Sequence, residues 1–173
     1  MKKKFITLVS TFISIVLATN LSNAQTKFEG GWSTEGNWQL LYGKPYSNAL
    51  PQHVEVSLSP DSLTIISIST GANGLDTIVT HYLKSGQPTT LRSPGGRKEI
   101  ATITWNDDHT GFTEVGTYYK KDDLGVPEIK ITEDWLIGED GKLSLTRSFL
   151  SLINADDKWS AKSLYDQKDR TNL

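Results

Sequence analysis

Between Glu128 and Leu150 the chain carries a β-hairpin whose register follows from its own residues, and this hairpin limits the folds open to the rest. Its arms, Ile129 to Ile137 and Lys142 to Leu150, alternate apolar and polar residues with period 2, and Gly138-Glu139-Asp140-Gly141 supplies the turn. A three-residue loop, Glu139-Asp140-Gly141, with Gly141 left-handed in a bulge, sets Ile137 opposite Leu143, Trp135 opposite Leu145 and Ile131 opposite Phe149. A loop one residue shorter or longer sets Trp135 beside Thr146 or Ser144 and breaks the apolar face, so burial selects the three-residue solution. The same register places Glu133 across from Arg147, an acid and a base in the middle of an apolar ladder.

The hairpin is one of a series. Trp38 to Tyr42 is the first strand signal, followed by a proline-bearing loop from Gly43 to Pro51, and Gln25 to Thr34 reads as a lead-in that docks across a barrel end. Val54 to Leu58 and Leu63 to Ser69 pair around Pro60-Asp61; Asp76 to Leu83 and Thr89 to Arg92 flank the Lys84-Ser85-Gly86-Gln87 turn. Lys98 to Trp105 and Thr110 to Tyr119 pair around Asn106 to His109, and Trp159 to Tyr165 is the last strand. No stretch of ten residues keeps a helical period. Such spacing implies an all-β fold in which consecutive strands pair antiparallel, and hairpin-length connections favour an up-and-down β-barrel of 8–10 strands over a Greek-key sandwich.

Lys2, Lys3 and Lys4 precede an apolar run from Phe5 to Leu17, and Ser22-Asn23-Ala24 fits a cleavage site, so residues 1–24 read as a signal peptide and 25–173 as a single barrel domain. The expected product is exported, periplasmic or secreted, and soluble after cleavage, because no run reaches the roughly 20 apolar residues of a membrane span. Cleavage takes 24 of 173 residues and three lysines, which moves the formal charge from −2 to −5. Both signs are interspersed along the chain, which excludes a phosphate-reading nucleic-acid surface. The chain has no cysteine, so a core of about 150 residues must hold it without staples.

Gly36-Asn37-Trp38, with Leu40 and Tyr42 in alternation after it, resembles the Gly-x-Trp that opens the first strand of lipocalins. More of the chain is similar to short exported bacterial lipocalin-like, calycin-type barrel proteins, mostly of unassigned function. The likeness runs through Trp38 to Tyr42, the Pro45 to Pro51 loop, Ser62-Leu63-Thr64-Ile65, the hairpin from Glu133 to Arg147, and Tyr165-Asp166. The resemblance implies a lipocalin-like barrel in which Trp38 packs under a late arginine, Arg147 or Arg170, to close the floor. The lipocalin Thr-Asp-Tyr signature has no counterpart here.

Glu133 and Arg147 are the first candidates for a ligand site, since a carboxylate and a guanidinium inside a barrel can hold a polar group, with Trp135, Tyr118 and Trp105 as candidate walls. The competing reading of the pair is a cross-strand structural contact. His53, His81 and His109 share no metal-ligand spacing, and Asp107-Asp108, Asp122-Asp123 and Asp156-Asp157 sit at turns, where carboxylates cap the backbone. The loop from Arg92 to Lys98 has two arginines for an anion, or is an exposed, charged hairpin loop. No nucleophile elbow, phosphate loop or zinc-binding helix motif occurs, so no catalytic residue, cofactor or metal is assigned. The leading expectation is an exported barrel that binds a small apolar or amphipathic molecule. The alternatives are a solid-core structural or interaction module and a barrel enzyme of cyclase or isomerase type, for which Glu133 is the nominee.

Overall fold

Period-2 alternation governs almost every extended run, and in the computed structural model, which describes residues 27–34, 38–45, 49–71, 74–93 and 96–168, those runs form one antiparallel sheet. Its strands are β1 (Gly30–Ser33), β2 (Gln39–Gly43), β3 (His53–Leu58), β4 (Ser62–Gly71), β5 (Gly74–Leu83) and β6 (Thr89–Arg92), then β7 (Lys98–Trp105), β8 (Gly111–Tyr119), β9 (Pro127–Ile137), β10 (Leu143–Ser151) and β11 (Lys158–Lys168). The described residues include no helix, and therefore none long and apolar enough to cross a membrane.

Ten strands follow one another in the order β5-β4-β3-β1-β11-β10-β9-β8-β7-β6, and β2 joins from the side by pairing with β11. The fold is thus an all-β, nearly closed antiparallel barrel. Its first and last segments meet, because β1 lies between β3 and β11. The seam falls elsewhere, between β5 and β6: the sequence leads one to expect them to pair around Gly86, yet they only approach each other, through a bond from the Leu83 amide to the Thr89 hydroxyl. Pro88 enters β6 without an N–H to give to a ladder there.

The β9–β10 hairpin adopts the expected register, with Ile137 opposite Leu143, Trp135 opposite Leu145, Glu133 opposite Arg147 and Ile131 opposite Phe149. Gly141 takes the left-handed conformation at φ 75°, and the Gly138 and Gly141 amides close the turn. The N-terminal region departs from expectation. Gly30–Ser33 is a strand of the barrel wall rather than a lead-in, while all five residues of β2 are exposed and lie off the main path. Both strands run antiparallel to β11, so they act as one broken strand along it.

Inward residues of all these strands build the core. Phe28 is wholly buried, edge-on to Trp105 at 5.7 Å and tilted to Phe112 at 5.4 Å, and Phe112 stacks on Trp135 at 5.7 Å. This aromatic cluster fills the end of the barrel near the β7–β8 turn. Away from it the loop before β3 packs inward, burying Ala49, Leu50 and Pro51.

Candidate functional site

Three acidic residues alternate onto the inner face of neighbouring strands. On β7 the inward series is Glu99, Ala101 and Ile103; on β8 it is Phe112, Glu114 and Gly116; on β9 it is Glu133, Trp135 and Ile137. The ladders set Glu114 directly opposite Glu133, and Glu133 opposite Arg147, so the three form one row across the wall. Glu99 stands beside that row, opposite Tyr118. The exposures of Glu99, Glu114 and Glu133 are 6%, 5% and 7%, which places three carboxyl groups out of bulk water around a single guanidinium.

That guanidinium is anchored at two points. Arg147 donates from Nε to Glu133 Oε1 at 2.6 Å and from Nη1 to the Ala49 carbonyl at 2.7 Å, and Trp135 Nε1 donates to the other Glu133 oxygen at 3.0 Å. Burial pulls the Arg147 proton affinity down, but Glu133 beside it outweighs burial and leaves the group more firmly charged than usual. Glu99 and Glu114 receive phenolic donors instead, Tyr118 for the former and Tyr82 for the latter.

The consequence is electrostatic. Burial, followed by repulsion from Glu133, pushes Glu99 up to about 7 against the opposing Tyr118 hydrogen bond. Burial and then Glu133 raise Glu114 well above the usual carboxylate range. Opposed like charges on adjacent strands destabilise a sheet, and holding a proton on one member relieves this. Burial likewise raises Tyr82 and Tyr118, with the neighbouring glutamates adding to it.

These groups face a cavity of about 180 Å³. Its walls on the side of the β5–β6 seam carry Ile65 from β4, Ile78 and Tyr82 from β5 and Leu91 from β6, interleaved with Ser67, Thr80, His81, Arg92 and Ser93, so that side is mixed apolar and polar. The other side is Glu99, Glu114, Tyr118, Glu133, Trp135 and Arg147. Gly116 makes room on the polar side: a Cβ there would lie 2.7 Å from Glu99 Oε1 and 3.6 Å from Glu114 Oε1, so both carboxyl groups converge on one point of the wall. An apolar cavity of about 150 Å³ takes up benzene, so the present one matches a single ring-sized group, below the roughly 300 Å³ at which drug-sized pockets begin.

Of the residues singled out from sequence, Glu133, Arg147, Trp135 and Tyr118 share this cavity. Trp105 does not; it belongs to the aromatic cluster with Phe28 and Phe112, and its Nε1 is buried without a partner among the described residues. Trp38 is 38% exposed, and Trp32, at 1% exposure, is the buried tryptophan of the N-terminal region, donating Nε1 to the Phe28 carbonyl at 3.0 Å. Gly36-Asn37 and Arg170 lie outside the described residues. In the Arg92–Lys98 loop, Arg97 pairs with Glu128 and Lys98 covers the Tyr119 ring at 4.8 Å, leaving Arg92 at the cavity rim. Asp108, Asp123 and Asp140 cap turn amides at Thr110, Gly125 and Lys142, as their positions imply.

Sequence reasoning missed Glu99, Glu114 and Tyr82. A signal exists in the β7–β8 hairpin, whose pairing around Asn106 to His109 puts Glu99 opposite Tyr118 and Ile103 opposite Glu114, and so on one face with Trp105 and Phe112.

No family model matches the chain, and no curated protein matches it significantly. Among solved structures, the zebrafish ileal bile acid-binding protein complexed with cholic acid is similar to it at 14% identity and a TM-score of 0.49, over 82% of this chain and 99% of that one.

Proposed function

We propose that this protein is an exported barrel that binds a small, partly apolar molecule in the cavity behind the β5–β6 seam. The observation that carries the reading is a cavity that sets the apolar residues Ile65, Ile78 and Leu91 across from a polar wall reaching Glu133 and Arg147. A structural module has no need of three buried carboxyl groups around one guanidinium, an arrangement that costs several kcal/mol in desolvation. Export rests on Lys2 to Lys4 and the apolar run from Phe5 to Leu17.

The test is a nuclear magnetic resonance titration with three ring-sized probes of matched shape: neutral 2-phenylethanol, anionic phenylacetate and cationic phenethylamine. Saturable shifts at Leu91, Glu99, Tyr118 and Glu133 from any of them support the reading. Saturation by none refutes it. A second reading, a cyclase or isomerase that uses a buried general acid, is favoured by the protonated character of Glu114 and by Glu99 at about 7, since such shifts suit proton transfer near neutral pH. Turnover of a ring-sized substrate that is lost in Glu114→Gln would establish it.

A further inference from the structure

We propose that the ligand of this cavity is a cationic amphiphile, a protonated amine on a ring-sized apolar body, whose ammonium group sits between Glu99 and Glu114 while its apolar part lies against Ile65, Ile78 and Leu91. This deepens the function proposed above and rests on it.

Geometry and charge balance carry the inference together. The polar wall holds three carboxyl groups, each more than nine-tenths buried, and its single guanidinium is bound to Glu133 and the Ala49 carbonyl. Glu99 and Glu114 take phenols as their hydrogen-bond donors, and Arg147 reaches them through its field alone, as the last of the influences on each. Two further side chains, Arg92 and His81, line the cavity from the seam side. Arg92 is exposed at the rim, and His81, also exposed, bonds Thr64 through its ring at 2.9 Å. The carboxyl groups of Glu99 and Glu114 converge over Gly116, within 3.6 Å of the same point, and both face the cavity. A compact ammonium with three donors fits between two such groups, and desolvation strengthens its charge-assisted bonds. An anion would meet repulsion from Glu99 and Glu133, and Arg147 already sets its charge against Glu133. The cavity volume of about 180 Å³ limits the body to about one ring.

The three probes separate this proposal from the reading beneath it. At pH 8 phenethylamine is expected to bind about ten-fold more tightly than 2-phenylethanol, and phenylacetate more weakly than either, since one charge-assisted bond adds roughly a factor of ten. If the alcohol or the acid binds as tightly as the amine, the cationic assignment is overturned while the cavity stands as a binding site. If none binds, both fall. In Glu99→Gln the amine advantage should shrink about ten-fold, with 2-phenylethanol affinity retained as proof of an intact cavity, whereas Glu114→Gln, which exchanges a neutral acid for a neutral amide, should change it much less. An unchanged amine advantage in Glu99→Gln overturns the proposal.

A further readout needs no variant. Phenethylamine stays protonated between pH 6 and pH 8, whereas Glu99 titrates at about 7 beside Glu114, Glu133, Arg147, Tyr118 and Tyr82. Amine affinity should therefore rise across that window and binding at pH 6.5 should release protons, seen as a calorimetric heat that depends on the buffer. A flat profile with no proton release refutes ammonium binding at these carboxyl groups.

Discussion

Replacing Arg147 by Met tests the electrostatic account of the barrel interior most directly. The change deletes the 2.6 Å bond to Glu133 and the 2.7 Å bond to the buried Ala49 carbonyl, and it leaves three carboxyl groups facing one another with no cation. Each hydrogen bond to a charged group contributes about 1.5 to 3 kcal/mol, and stranding the partner of a buried pair costs about 3 to 5 kcal/mol. The Arg147 side chain is 22% exposed, so water recovers part of the loss, and the lower end, about 3 kcal/mol, is expected. With a urea slope of about 2 kcal/mol/M, that moves the unfolding midpoint down by about 1.5 M at pH 7. Tryptophan fluorescence against urea measures it. Removing the charge as well, in Glu133→Gln/Arg147→Met, should recover at least half, because the amide still accepts from Trp135 Nε1. A shift under about 0.5 M at unchanged slope, or a double variant no better than the single, would refute the claim that the pair is desolvated and coupled.

Glu99 also makes stability depend on pH. Its folded value of about 7 lies above the ordinary 4.5, so its contribution is fully present below pH 4.5 and is lost as pH rises through 7, on the order of 3 kcal/mol in all; melting temperature should be higher at pH 5 than at pH 8, and Glu99→Gln should flatten the difference. Equal slopes in wild type and variant would contradict this. Trp32→Ala should cost about 3 to 5 kcal/mol by emptying a core site, and Trp38→Ala about 0.5 kcal/mol or less, so comparable losses in thermal melts would return Trp38 to the role of barrel closer. At Gly43, φ is 76° and a Cβ would fall onto the Lys158 carbonyl oxygen and 2.7 Å from Trp159 Cα; Gly43→Ala should release β2 from β11, exposing to hydrogen exchange those amides of β11 residues 159–162 that point to β2, while the alternate ones bonded to β10 and the rest of the barrel stay protected. Exchange unchanged along β11 would show that β2 remains paired.

Where neighbouring residues suffice to determine structure, the sequence is readable. The β9–β10 hairpin is such a case: alternation chooses the face, Gly141 chooses the turn, and the Glu133–Arg147 pair follows from residues fewer than twenty-five positions apart. Regular hairpin spacing similarly implies the antiparallel barrel, because a meander of short strands removes its edges by closing. What lies beyond a hairpin was decided in three dimensions. β1 is four residues long with two glycines, too weak a local signal for a strand, and it exists because β3 and β11 supply partners on both edges. Glu114 meets Glu133 across β8 and β9, whose connecting residues 120–126 are too many to fix a register, so the pairing rests on packing of Phe112 against Trp135. The open seam at β5–β6 and the turning of Glu99 inward depend on how ten strands share one circumference. Alternation along a strand states which residues share a face, but only the closed wall decides which face is inside.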